Sequence, residues 1–224
     1  MTMQILQRNT LPLGGFAGIK EHRLLVDHRI GGKDNTWDGL GNFVYLADAR
    51  YQPNGESKMH SHKEIDVISV IVDGRVDHEG SMKHGQSLIA NQAQAQRAGG
   101  EGFSHNEINP DNKKNRMLQL WVLPEKKGEP ASYKFYDLKK NQLTRIYGGS
   151  KAQDETLDSH TIIEVGLLSA KQTLSRTGDI LFYLIKGNGH INGKNIQEGD
   201  LVRDDSLEFE AVDDSQLVLI TTET

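Results

Sequence analysis

Apolar residues in this chain gather in short bursts rather than along helical stripes. The run Ile65-Asp-Val-Ile-Ser-Val-Ile-Val72 is rich in β-branched residues and stops at a turn, and Ile180-Leu-Phe-Tyr-Leu-Ile185 does the same. Both patterns predict buried strands. Between such runs stand the turn signals Asn54-Gly55, Asp73-Gly74, Lys186-Gly187 and Asn192-Gly193, at a spacing that suits an all-β sandwich or barrel. Helical periodicity is weak throughout. Only Gln92 to Ala98 predicts a short turn of helix.

The two halves echo one another. In the first, an apolar strand ends at Gly74, a short alternating segment follows, and Gly85 opens Gln86-Ser-Leu-Ile-Ala90. In the second, an apolar strand ends at Gly187, His190-Ile-Asn192 follows, and Gly199 opens Asp200-Leu-Val-Arg203. The offset is 113 residues at the first glycine and 114 at the second. A repeat of that length is domain-sized and predicts two similar barrels, residues 1–135 and 136–224, joined by a polar crossover around Lys126 to Tyr147.

Composition narrows the function classes. The chain has 224 residues, 36% hydrophobic and 25% charged, as expected of a folded globular protein. A formal net charge of -5 gives no general attraction to phosphate backbones or anionic lipid, so direct nucleic-acid contact is not expected. No apolar run approaches membrane-spanning length, and Met1 to Gly15 lacks the basic-then-apolar layout of a signal peptide. The expected location is therefore the cytoplasm, with no membrane partner. The chain has no cysteine, which removes disulfides, thiolate metal sites and a catalytic cysteine together. No Gly-x-Ser-x-Gly elbow is present, and Gly31-Gly-Lys-Asp-Asn-Thr36 lacks the spacing of a phosphate loop. Any metal must be held by nitrogen and oxygen.

Such ligands occur as two pairs. His60-Ser-His62 stands at the entrance to the first buried strand, and His105-Asn-Glu107 repeats the spacing. Residues i and i+2 of a strand point to one face with Cα atoms about 6.5 to 7 Å apart, close enough for two side chains to converge on one ion. Two such pairs on neighbouring strands make a four-ligand site. The other histidines, His22, His28, His78, His84, His160 and His190, have no partner at ligand spacing and read as surface or structural residues.

The glycine, histidine and asparagine spacing of Gly102-Phe-Ser-His105-Asn-Glu-Ile-Asn109 resembles the second motif of the cupin superfamily. Together with His60-Ser-His62-Lys63, Pro110 and Leu118-Gln-Leu-Trp121-Val-Leu-Pro124, it resembles the pirins within that superfamily, over about residues 55–124. The resemblance implies two cupin-type, jelly-roll β-barrels in tandem. It implies metal ligation by His60, His62, His105 and Glu107 in the first barrel. The second barrel is expected to hold no metal, because shifting His60 and His62 by the repeat offset of 113 lands on Thr173 and Ser175, and Leu207 to Thr222 contains no histidine. Asp66 stands where many cupins place a glutamate ligand, but the pirin pattern gives that duty to Glu107.

The resemblance implies iron, Fe(II), although such a donor set also suits Mn, Co, Ni, Cu or Zn. Three neutral imidazoles and a carboxylate leave a divalent ion with a single net positive charge and open positions beside it. That arrangement suits a ring-opening dioxygenase, and the resemblance implies one that cleaves a flavonol such as quercetin with dioxygen, with Glu107 as both ligand and catalytic base. The alternative the resemblance offers is an iron- or redox-sensing protein that binds a protein partner without turnover. Substrate selection is expected in loops at the barrel mouth such as Asn91 to Gly100.

Overall fold

The structure, a computed structural model, describes residues 2–223. The chain is 59% strand and 3% helix. The strands are β1 (Gln4–Gln7), β2 (Ile19–Val26), β3 (Phe43–Tyr51), β4 (His60–His62), β5 (Asp66–Asp73), β6 (Arg75–Gly80), β7 (Gln86–Ile89), β8 (Gln92–Arg97) and β9 (Phe103–Ile108). They continue as β10 (Arg116–Val122), β11 (Ser132–Asp137), β12 (Gln142–Gly149), β13 (Ser159–Leu168), β14 (Thr173–Lys186), β15 (Asn188–Ile191), β16 (Lys194–Gln197), β17 (Asp200–Ala211) and β18 (Ser215–Thr222). No helix among the described residues is long and apolar enough to cross a membrane.

The chain divides into two compact units, residues 11–137 and residues 1–10 with 138–224. The C-terminal boundary of the first lies two residues from the one read in the sequence. The first ten residues go with the other unit because β1 pairs antiparallel with β17, Gln4 opposite Arg203. The predicted crossover around 126–147 is not a bare linker. It holds β11, which extends the first unit's sheet beside β8, and most of β12.

In the first unit a six-stranded sheet, β11-β8-β5-β10-β3-β2, faces a four-stranded one, β4-β9-β6-β7. Ile71 and Met117 of the large sheet pack with Val76 and Leu88 of the small one. β5 lies between β8 and β10, and its residues are buried up to Val72, which accounts for its continuous apolar run. The second unit repeats this order in its main sheet: β1, β17, β14, β18, β13 and β12 stand as β11, β8, β5, β10, β3 and β2 do. Both units are all-β jelly-roll barrels, as the sequence predicts.

The predicted turn of helix over Gln92 to Ala98 is instead strand β8. Glutamine and alanine are adequate helix formers, but here they alternate with period two, and pairing to β5 and β11 on either side decides the outcome. The same strand occupies most of the segment expected to form a mouth loop. The glycine repeat also needs one correction. Gly74 and Gly187 correspond, each closing the central strand at positive φ, 73° and 91°. Gly85 and Gly199 do not, because Gly85 opens β7, which pairs with β6, whereas Gly199 opens β17, which pairs with β14.

Counted from Gly74 and Gly187, the two interiors can be compared position by position. Ser69 lies opposite Gln94, and Phe182 opposite Val202. His78 lies opposite Glu107, and Ile191 opposite Phe209. The polar set of the first barrel thus has Phe182, Val202, Ile191 and Phe209 at its counterparts in the second, and all four belong to that unit's apolar core.

Candidate metal centre

β4 and β9 pair antiparallel with His60 directly opposite His105, so the i, i+2 spacing read in the sequence brings three imidazoles to one place. The Nε2 atom of His105 lies 3.1 Å from that of His60 and 3.2 Å from that of His62. Donors about 2.0 to 2.1 Å from one ion stand about 3.0 to 3.4 Å apart, so these separations suit coordination edges. The Nδ1–H of His60 donates to the carbonyl of Lys58 at 2.8 Å, which leaves the Nε2 lone pair facing its neighbours. His105 is held by ring contacts to Phe103 at 5.1 Å and His78 at 5.4 Å, and its buried Nδ1 has no hydrogen-bond partner.

Burial, then the neighbouring imidazoles His105 and His60, pushes the His62 pKa down to about 4. Burial, then His60 and His78, pushes that of His105 down to about 3. Both rings are therefore neutral at neutral pH, with lone pairs available to a cation and no proton to displace. With His60 beside them, three imidazole nitrogens converge, a donor set that fits a divalent transition metal.

Glu107 occupies a different position from the three histidines. It lies on the same face of β9 as His105, yet its carboxylate is not among the donor atoms that cluster together, which are those of His60, His62 and His105. Oε1 accepts from the Ser69 hydroxyl at 2.7 Å and from Gln94 Nε2 at 3.5 Å. Oε2 accepts from the Tyr51 hydroxyl at 3.0 Å. Burial, then the Glu107 charge, raises the Tyr51 pKa well above its ordinary value, so that hydroxyl remains a donor. Tyr133 in turn donates to Gln94 Oε1 at 3.1 Å.

Asp66 lies elsewhere: it is buried, and Arg97 Nε donates to its Oδ2 at 3.1 Å. His78 is not a surface residue. It is fully buried behind His105, with its Nε2 3.2 Å from Gln96 Nε2. A second cluster, Asp27, His28 and Asp38, has its buried carboxylate already engaged by Arg29 and the Gly39 amide. The sequence reading missed Tyr51, Ser69, Gln94, Gln96 and Tyr133. Two signals pointed to some of them: Ser69 interrupts an otherwise apolar run, and the glutamines of β8 alternate with alanine on a buried strand. An aromatic wall, Trp121 stacked on Tyr45 at 4.3 Å and 5.8 Å from the His62 ring, borders the imidazoles.

Comparison with known proteins gives a consistent family. The pirin model matches residues 29–122. Quercetin 2,3-dioxygenase of Escherichia coli O157:H7 is 26% identical over 170 residues, 71% of this chain and 73% of that protein. A pirin-like protein of Caulobacter vibrioides is 24% identical over 186 residues, covering 77% and 80%. The crystal structure of YhhW from Escherichia coli superposes with a TM-score of 0.84 at 18% identity over 99% of this chain and 98% of that one. The crystal structure of bacterial pirin YhhW in complex with nickel(II) from Escherichia coli gives a TM-score of 0.83 at 18% identity, covering 98% of each chain. At that identity the likeness concerns the fold.

Proposed function

Because this chain belongs to the pirin family of the cupin superfamily, we propose that it is a metal-dependent oxidoreductase of the quercetin 2,3-dioxygenase type, using a divalent transition metal to open a flavonol ring with dioxygen. His60, His62 and His105 hold the ion, with Glu107 completing the donor set or standing beside it as the catalytic carboxylate. Iron, Fe(II), leads the candidates by family resemblance, while the imidazole and carboxylate donors also accept Mn, Co, Ni, Cu or Zn. The bound ion supplies Lewis acidity and open coordination positions. What carries the reading is the convergence of three imidazoles, with the Nε2 atom of His105 3.1 Å from that of His60 and 3.2 Å from that of His62, beside a buried carboxylate. The quercetin dioxygenase names of the relatives support the reaction class.

The chain's own residues then have separable tasks. The Trp121 and Tyr45 rings offer a flat apolar wall for an aromatic substrate. Glu107 accepts the proton of a substrate hydroxyl, and Ser69 and Tyr51 orient the carboxylate that receives it. Metal analysis of protein purified without chelators, followed by oxygen uptake with quercetin, tests the proposal. Close to one metal per chain is expected, with oxygen consumption that His62→Ala abolishes along with the metal. No uptake by metal-replete protein with any flavonol or catechol would defeat the dioxygenase reading.

A further inference from the structure

We infer that Gln119 recognises the substrate: its side-chain amide hydrogen-bonds a second oxygen on an aromatic ring whose first oxygen goes to the metal, so the site selects rings with two vicinal oxygens. The inference deepens the reading of a metal-dependent ring-opening dioxygenase and rests on it.

Gln119 lies near the middle of β10, which stands between β3 and β5 in the large sheet. It shares one face of that strand with Met117, which packs in the apolar core between the sheets, and with Trp121, whose ring is 5.8 Å from that of His62. That face is the inside of the barrel. Across the ladder Gln119 stands opposite Ala47 on one side and Ser69 on the other, and the Ser69 hydroxyl donates to Glu107. The amide is thus placed between the Trp121 ring and the residue that holds the carboxylate.

An amide on the inner face of a sheet needs partners, because an unpaired one in an apolar setting is costly. The interior glutamines of β8 have theirs in the protein: Gln94 is tied to Tyr133, Ser69 and Glu107, and Gln96 to His78. Gln119 does not. Its side chain makes no hydrogen bond to any described residue, and it is half-buried rather than sealed, so the amide faces space that a ligand can enter. In the second barrel Leu219 pairs with Phe182 as Gln119 pairs with Ser69, and it belongs to that unit's apolar core. The polar residue is present only in the barrel that carries the histidine cluster.

Flavonols and catechols both carry oxygens on neighbouring carbons, a carbonyl beside a hydroxyl in the first and two hydroxyls in the second. A primary amide meets either, since its Nε2–H donates to a carbonyl and its Oε1 accepts from a hydroxyl. A ring with a single oxygen gives it to the ion and leaves Gln119 unpaired. A site of that kind discriminates through the partner left without a bond.

The ligands 2,3-dihydroxynaphthalene and 2-naphthol differ by one vicinal hydroxyl. Calorimetric titration of each into the whole chain loaded with zinc(II), a redox-inert ion, with dioxygen excluded, measures binding without turnover. Wild type is expected to prefer the diol. Gln119→Leu is expected to keep its zinc and to lower the ratio of the two affinities about tenfold, the scale of one hydrogen bond. Should the leucine variant fail to fold, Gln119→Met is read in the same way. An unchanged ratio in a zinc-replete variant, or a wild type without preference for the diol, overturns the role of Gln119 and leaves the dioxygenase reading standing. Loss of zinc in both variants would make Gln119 a support of the metal site and overturn the inference too. A zinc-loaded wild type that binds neither ligand defeats the aromatic-substrate reading and the inference together.

Discussion

At the scale of single residues, this protein uses buried polar groups in two ways. Some are fixed by partners, as Asp27 is: Arg29 donates to it at 2.8 and 3.0 Å, and the Arg29 and Gly39 amides at 2.9 Å each. The Arg29 side chain, ahead of opposing burial and then those amides, holds the Asp27 carboxyl well below the ordinary carboxylate value of 3.8. Folding therefore favours the ionised form, and the stability it contributes is complete above the unfolded value and drains away as pH falls through 3.8 and below. Asp27→Asn should cost about 1–3 kcal/mol near neutrality, discounted because Arg29 is partly exposed. Urea unfolding at several pH values should show the gap between wild type and variant shrinking below pH 4; a gap unchanged down to pH 2 would contradict this account. His78 belongs to the other kind, filling space behind His105 without joining the nitrogens. His78→Ala should keep the metal while losing about 1–3 kcal/mol, since it strips a partner from buried Gln96. Metal analysis beside a denaturation curve separates the two effects. His60, His62 and His105 were legible because strand periodicity alone puts each pair on one face. The partners of Glu107 were not, because Tyr51, Ser69 and Gln94 reach it from three other strands, and nothing local records that meeting.

Among strands, the controlling fact is how closely β6 lies against β9, the strand that carries His105 and Glu107. Gly80 pairs with His105, and a Cβ there would come within 2.2 Å of the Ser104 carbonyl and 2.8 Å of the His105 Cα. Both obstacles are backbone, so no side chain can move aside to relieve them. Gly80→Ala should therefore cost about 1–3 kcal/mol and weaken metal binding, because the shifted strand carries His105 of the candidate site. Gly85→Ala is a useful contrast: its Cβ would meet nothing within 4 Å, although its φ of 78° still carries a strain. A Gly80 variant with wild-type metal affinity and stability would show that β6 does not position His105. The apolar runs of β5 and β14 could be read directly, since burial on both faces needs an unbroken hydrophobic segment. The β8 segment could not, because its glutamines are tolerable inside only where Tyr133, Ser69, Glu107 and His78 meet them.

Over the whole molecule, one strand order is used twice with opposite interiors. The repeat was visible in the sequence as recurring glycines, but its true register appears only when Gly74 is matched to Gly187 and strand partners are followed from there. That register decides what the second barrel can bind. At the counterparts of Ser69, Gln94, His78 and Glu107 it has Phe182, Val202, Ile191 and Phe209, and the rings of Phe182 and Phe209 meet at 5.0 Å. His105, two residues before Glu107, has Leu207 as its counterpart, two before Phe209 and fully buried. An interior of that kind offers no lone pair to a transition metal and has its stability in packing instead. The last prediction follows: the chain binds one divalent ion, not two. Replacing His60, His62 and His105 together should bring the metal content to zero while the protein stays folded. Phe209→Ala should do the reverse, costing about 3–5 kcal/mol through the cavity it leaves, with one metal per chain retained. Native mass spectrometry of metal-loaded protein, with thermal unfolding of the same samples, reads both quantities. A second tightly bound ion that survives loss of the three histidines would place a metal site where the apolar register leaves no room for one.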